Sequence, residues 1–260
     1  PMNKSPIRTH RLLLAVDGSE HSLAAVKTVR DFALTVSTCP ECQVKVLGVL
    51  PVAEGSNHAM YMIPLREAER ILEEHGVKTS SDMIQGYPAE VILSQAEVDH
   101  PNLIVIGAKG LRATLGILLG GVAQQVVEHA TCPVLVVRAP YRQINHVLVA
   151  CDGSECSLQA VKFAASFPFI AGTDFHVLHV LPPSPILTTE MLSKIWTLPD
   201  EAVDPALFMN RNVEAEVEAT RAAGEAVLEQ AQQILHAYEI KAKKALLQGD
   251  AATEIIQYSR

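Results

Sequence analysis

No apolar stretch in this chain approaches the ~18 residues a membrane span requires. Residues Pro1 to His10 lack the apolar core of a secretory signal. Together these lead us to expect a soluble, cytoplasmic protein. Positive charge is scarce too, with a formal net charge of −8. That balance argues against a broad nucleic-acid surface, although it leaves room for a small local anion site. Cysteine is sparse and odd in number, five in 260 residues, so a disulfide scaffold is not expected. Cys39-Pro-Glu-Cys42 has the C-x-x-C spacing of redox and zinc sites. A zinc site needs two more ligands, and no second C-x-x-C exists. A thioredoxin-like motif should open a helix after a strand, whereas this one falls where a helix ends and a strand begins. Two loop cysteines are the simpler reading, and thiol or metal sensing is the alternative.

Catalytic signatures are missing as well. There is no Gly-x-Ser-x-Gly elbow. Neither the His-x-Gly-His loop nor the Ser-Gly-Gly-x-Asp-Ser loop of adenylating enzymes occurs. His176 and His179 lie three apart on an expected strand, hence on opposite faces, and make a poor metal pair. We therefore expect no catalytic residues, no metal ligands and no enzyme. Slow hydrolysis of a bound ligand would need a water-activating group that the sequence does not reveal.

What is present is a repeat. Residues 11–27 read RLLLAVDGSEHSLAAVK and residues 146–162 read HVLVACDGSECSLQAVK; 11 of 17 positions are identical without gaps. KVLGVLPV (45–52) matches HVLHVLPP (176–183), and MIQGYPAEVI (83–92) matches LLQGDAATEII (246–256) with one insertion. A chain this long has room for about two domains at ~100–200 residues each, and 48% apolar residues suffice for their cores. The repeat is thus a tandem duplication with domains over 1–140 and 141–260.

In the first copy, Leu12 to Val16 reads as a strand buried on both faces, ending at Asp17-Gly18-Ser19. Ser19 suits the cap of a helix over about Glu20 to Leu34. Strands over Val44 to Val52 and Val77 to Ile84 alternate with a helix within Asn57 to His75. Pro88 suits the first turn of a third helix. Leu103 to Ile106 and Val134 to Val137 are further strands. Alternation of this kind predicts a parallel, doubly wound sheet, with ligands at the carboxyl ends of the strands. In the second copy, Pro183 to Asn212 reads as an insertion holding a short helix around Glu190 to Trp196. Trp196 is expected to pack that insertion onto its own domain, with anchoring a partner or covering a crevice as the alternatives. Val213 to Tyr238 reads as a long helix and Ile240 to Leu247 as a strand. Only 11 residues follow Gly249, where the first copy has about fifty. The second domain thus lacks its last strands, and the expectation is an incomplete chain.

Residues 103–138 carry the most specific signal. A strand ending at Ile106 runs into Gly107, Gly110, Gly116, Gly120 and Gly121, followed by a helix from Val122 to Ala130 and a last strand. Glycine lets backbone approach an anion closely, and a helix start supplies unpaired N–H groups. Lys109 and Arg112 add cationic side chains. This is neither a Walker loop nor the dinucleotide G-x-G-x-x-G. A glycine loop that only makes a tight strand-to-helix connection is the competing reading.

Gly107-x-x-Gly110, nine residues, then Gly120-Gly121 resembles the G-x2-G-x9-G-(S/T) loop of the universal stress protein family. Val16-Asp17-Gly18-Ser19, its repeat Cys151-Asp152-Gly153-Ser154, and Cys132-Pro133-Val134 extend the resemblance over almost the whole chain. It departs where the loop's Ser/Thr is Gly121, so a hydroxyl that contacts phosphate in nucleotide-binding members is absent. The resemblance implies two tandem Rossmann-like α/β domains, the second incomplete. It implies an adenine nucleotide, ATP with or without Mg²⁺, held by the first domain. Asp17 would meet adenine, with Ala15, Val16 and Val49 about the base, and Ile106 also belongs to the nucleotide site. Gly107, Lys109, Gly110, Gly120, Gly121 and Val122 would hold ribose and phosphates. An Asp that merely fixes its own turn is the alternative for Asp17. The resemblance also implies stress response through assembly or partner binding, by a homodimer or an intrachain pseudo-dimer. A decayed, non-nucleotide interaction module of the same fold is the alternative.

Overall fold

The computed structural model describes residues 11–35, 43–52, 58–110, 119–183 and 205–260. Arg112, Gly116, Cys39, Cys42, Trp196 and the short helix expected around it lie outside the described residues. The chain forms two compact units, one running to Ile144 and including Pro168–Ile170, the other holding the rest.

In the first unit β1 (Arg11–Val16), β2 (Gln43–Leu50), β3 (Lys78–Gln85), β4 (Leu103–Gly107) and β5 (Val134–Val137) form one sheet in the order β3-β2-β1-β4-β5. All four pairings are parallel. Helices α1 (Glu20–Thr35), α2 (His58–Glu73), α3 (Pro88–Asp99) and α4 (Gly121–His129) join the strands. Central β1 and β4 are apolar runs buried on both faces, as helices on either side of a parallel sheet demand. Leu13, Ala15, Leu47, Ile104 and Ile106 form a cluster with residues of α3 and α4. A buried leucine such as Leu13 or Leu14 contributes roughly 1.5–3 kcal/mol.

Several strand ends differ from the sequence expectation by one or two residues. β2 stops at Leu50 because Pro51 has no N–H to continue the ladder. β4 includes Gly107, which pairs with Val137. After β5 the chain runs back along α1, where the Ala139 N–H donates to His21 Nδ1 at 2.8 Å and the Tyr141 hydroxyl to Asp31.

The second unit repeats the opening of the first. Strands β6 (His146–Ala150), β7 (Asp174–Leu181) and β8 (Ala242–Gln248) pair in parallel, with α5 (Glu155–Ser166), α6 (Pro205–Ala237) and α7 (Ala251–Tyr258) following them in turn. This second sheet has three strands among the described residues, against five in the first. The long helix begins at Pro205, inside the expected insertion, and not at Val213. Proline is tolerated at a first turn, so the last proline of that stretch opens the helix instead of interrupting it. β8 starts two residues later than expected. Glu239 has φ 64 and the Ile240 N–H donates to the Leu235 carbonyl, so both residues close α6.

The Asp-Gly-Ser turn is built alike in both copies. Gly18 has φ +83 and Gly153 φ +84, a conformation that favours glycine. A Cβ at Gly18 would lie 2.6 Å from Pro64 Cγ of α2, and one at Gly153 2.7 Å from Val227 Cγ2 of α6. Each glycine thus lets its unit's second helix pack onto the end of the first strand.

Lys45 ties β2 to two neighbours, with Nζ 2.8 Å from Asp82 on β3 and 2.9 Å from Asp99 at the end of α3. Partial burial works against its charge, but the hydrogen bonds to Asp82 and Asp99 outweigh it and raise its pKa above 10.5. Because the folded-state value is raised, this contribution is fully present below about pH 10.5 and lost as pH rises through the folded-state value. Lys45→Met should lower unfolding free energy by about 1 kcal/mol at neutral pH, read by urea titration. The difference from wild type should shrink in strong alkali.

Gly107 is packed against backbone, with its Cβ position 2.7 Å from the Ser22 nitrogen and 2.8 Å from the His21 carbonyl carbon. Gly107→Ala should therefore destabilise by about 1–3 kcal/mol, measured by thermal melting.

Candidate functional site

Strand order reverses between β1 and β4, and a crevice opens beyond their carboxyl ends, where open α/β sheets hold ligands. The loop after β1 and the loop after β4 meet there. The Ser19 hydroxyl donates to the Lys109 carbonyl at 3.1 Å, across 90 residues of sequence. The same hydroxyl accepts from the Ser22 N–H at 3.2 Å and so caps α1. Asp17 Oδ1 accepts from the Ser19 N–H at 3.0 Å, the turn-fixing role of a strand-end aspartate. Its Oδ2 lies against the glycine loop, since a Cβ on Gly110 would come within 2.7 Å of it. Glycine at 110 is therefore what lets the loop reach the carboxylate.

The far end of the loop is closed by backbone. Ala108 N–H donates to the Val137 carbonyl at 2.7 Å, and Gly120 N–H to the Ala108 carbonyl at 2.8 Å. Gly120 is the N-cap of α4 and offers no side-chain acceptor to the first turn. Gly121, Val122 and Ala123 thus begin a helix without a side-chain cap, at the end where its dipole is positive. A Cβ on Gly120 would sit 3.4 Å from the Ala108 oxygen and the Lys109 Cα, a tight fit; one on Gly121 would meet nothing within 4 Å.

These groups enclose a cavity of about 340 Å³, within the range of small-molecule sites. Ala15, Val16, Asp17, Val49, Ile106, Gly107, Lys109, Gly110, Gly120, Gly121 and Val122 all line it. The sequence reading missed four lining residues, Pro88, Ile92, Ala108 and Ala123. Pro88 and Ile92 had a readable signal. They come after β3 as Asp17 comes after β1, four residues apart on one helix face. Chemically the cavity combines an apolar wall with a carboxylate and, beside Lys109, the N–H groups at the start of α4. It suits a flat, partly apolar ring carrying an anion.

In the second unit the turn recurs with Ser154 N–H donating to Asp152 Oδ1 at 2.9 Å. Hydrogen bonds from the Ser154 hydroxyl, the Ser154 N–H and the Ser157 hydroxyl hold the Asp152 carboxyl down at about 2. Among the described residues of that unit no glycine loop faces Asp152. His179 and His176 point to different partners. His179 Nδ1–H donates to the Cys151 carbonyl at 2.7 Å, whereas His176 engages Asp174 and Tyr258. No helix among the described residues is long and apolar enough to cross a membrane.

Known proteins resemble this chain in sequence and in fold. The model of the universal stress protein family matches residues 8–138 and again 143–260. A universal stress protein of Methanocaldococcus jannaschii is 34% identical over 144 residues, 51% of this chain and 84% of the relative. The crystal structure of a universal stress protein from Archaeoglobus fulgidus covers 96% of this chain and 82% of its own length, with a TM-score of 0.59 at 20% identity, a likeness of fold. A universal stress protein solved in complex with cAMP covers 50% of this chain and 97% of its own, at 26% identity and a TM-score of 0.39. The repeated strand-Asp-Gly-Ser-helix opening, the two parallel sheets and the two consecutive family matches together make this chain a tandem member of the universal stress protein family.

Proposed function

We propose that the first unit binds an adenine nucleotide, ATP with or without Mg²⁺, and that the protein acts by binding and assembly, not by catalysis. The observation that carries this reading is the meeting of the Asp17 turn and the Gly107–Gly121 loop in one cavity. The apolar wall of Ala15, Val49, Ile106, Pro88 and Ile92 suits a base, and the Asp17 carboxylate can accept from an exocyclic amine. The uncapped start of α4 and the Lys109 ammonium suit phosphate. Glycines at 110 and 120 keep the cradle open, since side chains there would crowd Asp17 and the Ala108 carbonyl. When bound, the nucleotide supplies charge at this loop. On this reading the chain's own residues orient it and leave it intact. In this proposal the protein works in the cytoplasm, as a homodimer or an intrachain pseudo-dimer, and nucleotide occupancy sets its partner choice.

Freshly purified protein should release ATP or ADP on denaturation at near one per chain, detected by mass spectrometry. No released nucleotide, together with no heat on titration with Mg²⁺-ATP, would remove the proposal and leave an interaction module of the same fold. Gly121→Ser has open space and adds a hydroxyl beside the anion end. It should tighten ATP binding by about threefold to tenfold, the effect of one added hydrogen bond. Gly110→Ala should displace the Asp17 carboxylate and weaken binding by about tenfold or more. Calorimetric titration reads both, with melting temperature as the control for folding.

A further inference from the structure

Away from the glycine cavity, five ionisable side chains from four elements of the second unit meet on one face of its sheet. His146 of β6 is in register with Asp174 of β7, and His176 of β7 is in register with Lys243 of β8. Asp174 and His176 are two apart on one strand and so share a face. Asp174 Oδ2 lies 2.8 Å from Lys243 Nζ, 3.0 Å from His176 Nε2 and 4.0 Å from His146 Nδ1. Tyr258 of α7 completes the group. Its hydroxyl is 2.8 Å from His176 Nδ1, and the two rings meet edge to face at 5.7 Å.

The hydrogen positions are set by the partners. Hydrogen bonds from Lys243, first, and then from His176 hold the Asp174 carboxyl below the usual carboxylate range, so it is ionised and only accepts. His176 Nε2 therefore carries the hydrogen directed at Asp174. In the neutral ring Nδ1 is then a lone pair, and the Tyr258 hydroxyl donates to it. The order hydroxyl, imidazole, carboxylate is that of a nucleophile, its base and the group that orients the base.

We propose that Tyr258 is a nucleophilic acylation site that takes an acyl group from activated carbonyl compounds, namely esters or acyl phosphates with an anionic leaving group. His176 is its base, and Asp174 positions that base. In the step, Tyr258 Oη attacks the carbonyl carbon and its proton passes to His176 Nδ1. A carbon–oxygen bond to the tyrosine forms, the bond to the leaving oxygen breaks, and the leaving group departs with the electron pair. The product is an O-acyl tyrosine. The Lys243 ammonium on the same face favours an anionic leaving group.

The test treats the full chain with 4-nitrophenyl acetate, follows nitrophenolate by absorbance and maps acylated residues by mass spectrometry. Two other tyrosines serve as internal controls, since Tyr87 is 65% exposed and Tyr238 48%, against 37% for Tyr258. Exposure alone orders them Tyr87, Tyr238, Tyr258. The proposal reverses that order, with Tyr258 acylated about tenfold or more faster than Tyr87. Equal or slower acylation of Tyr258 would overturn it. His176→Asn keeps an amide that can accept from Tyr258 and donate to Asp174 but cannot serve as a base. It should slow acylation of Tyr258 by about tenfold or more while Tyr87 is unchanged. Undiminished labelling of Tyr258 in this variant would also overturn the proposal. Should His176→Asn lower the melting temperature, the order of the three tyrosines in the wild-type chain decides by itself.

Discussion

The first unit depends on how closely helix α1 approaches the end of β4. Gly107 has backbone of His21 and Ser22 where a side chain would begin. That approach brings the two loops at the strand ends within hydrogen-bond reach, and the Ser19–Lys109 bond closes them together. Everything the cavity offers depends on this geometry. The Asp17 carboxylate faces Gly110, the loop returns through Gly120, and α4 starts uncapped at the opening. Crevices at a reversal of strand order arise because the two connections leave in opposite directions and cannot fill the gap between them.

The duplication shows how one local solution supports two outcomes. Both Asp-Gly-Ser turns have a left-handed glycine under the second helix, and in both the aspartate accepts from the serine N–H. These features need only a strand, a turn and a helix, so they persist in both copies. A cavity needs a second loop opposite the turn, and only the first unit presents one among the described residues. The same turn therefore lines a cavity in one unit, whereas among the described residues of the other it faces no second loop.

A similar divergence marks the second strand of each copy. Lys45 and His176 occupy matching places in the repeat, and each links its strand to the third helix. Lys45 does so through Asp99 as a plain ion pair. His176 reaches Tyr258 through an imidazole oriented by Asp174. An ammonium is a point charge that holds. An imidazole with a carboxylate behind it can hold and also take a proton. Equal positions in a duplicated fold thus carry different chemistry without altering the framework.

Much was legible in the sequence because it rests on short-range rules. The apolar runs of β1 and β4, the proline at the start of α3, the repeat and the glycine spacing each have a local physical cause. The eleven residues expected at the site came from the family resemblance those motifs carry, and all of them line the first unit's cavity. Local rules misread Pro205, since a proline can end one segment or open a helix, and here the helix begins at it. Nor does composition reveal that Gly110 makes room for Asp17, that Pro88 and Ile92 wall the same cavity, or that Tyr258 reaches His176 across 82 residues. The sequence by itself determined the elements, the duplication and the candidate loop, because hydrophobic period and glycine freedom act within a few residues. Only the tertiary structure decided which loops face each other and which polar groups meet, because strand order and helix packing bring together residues that the chain keeps far apart.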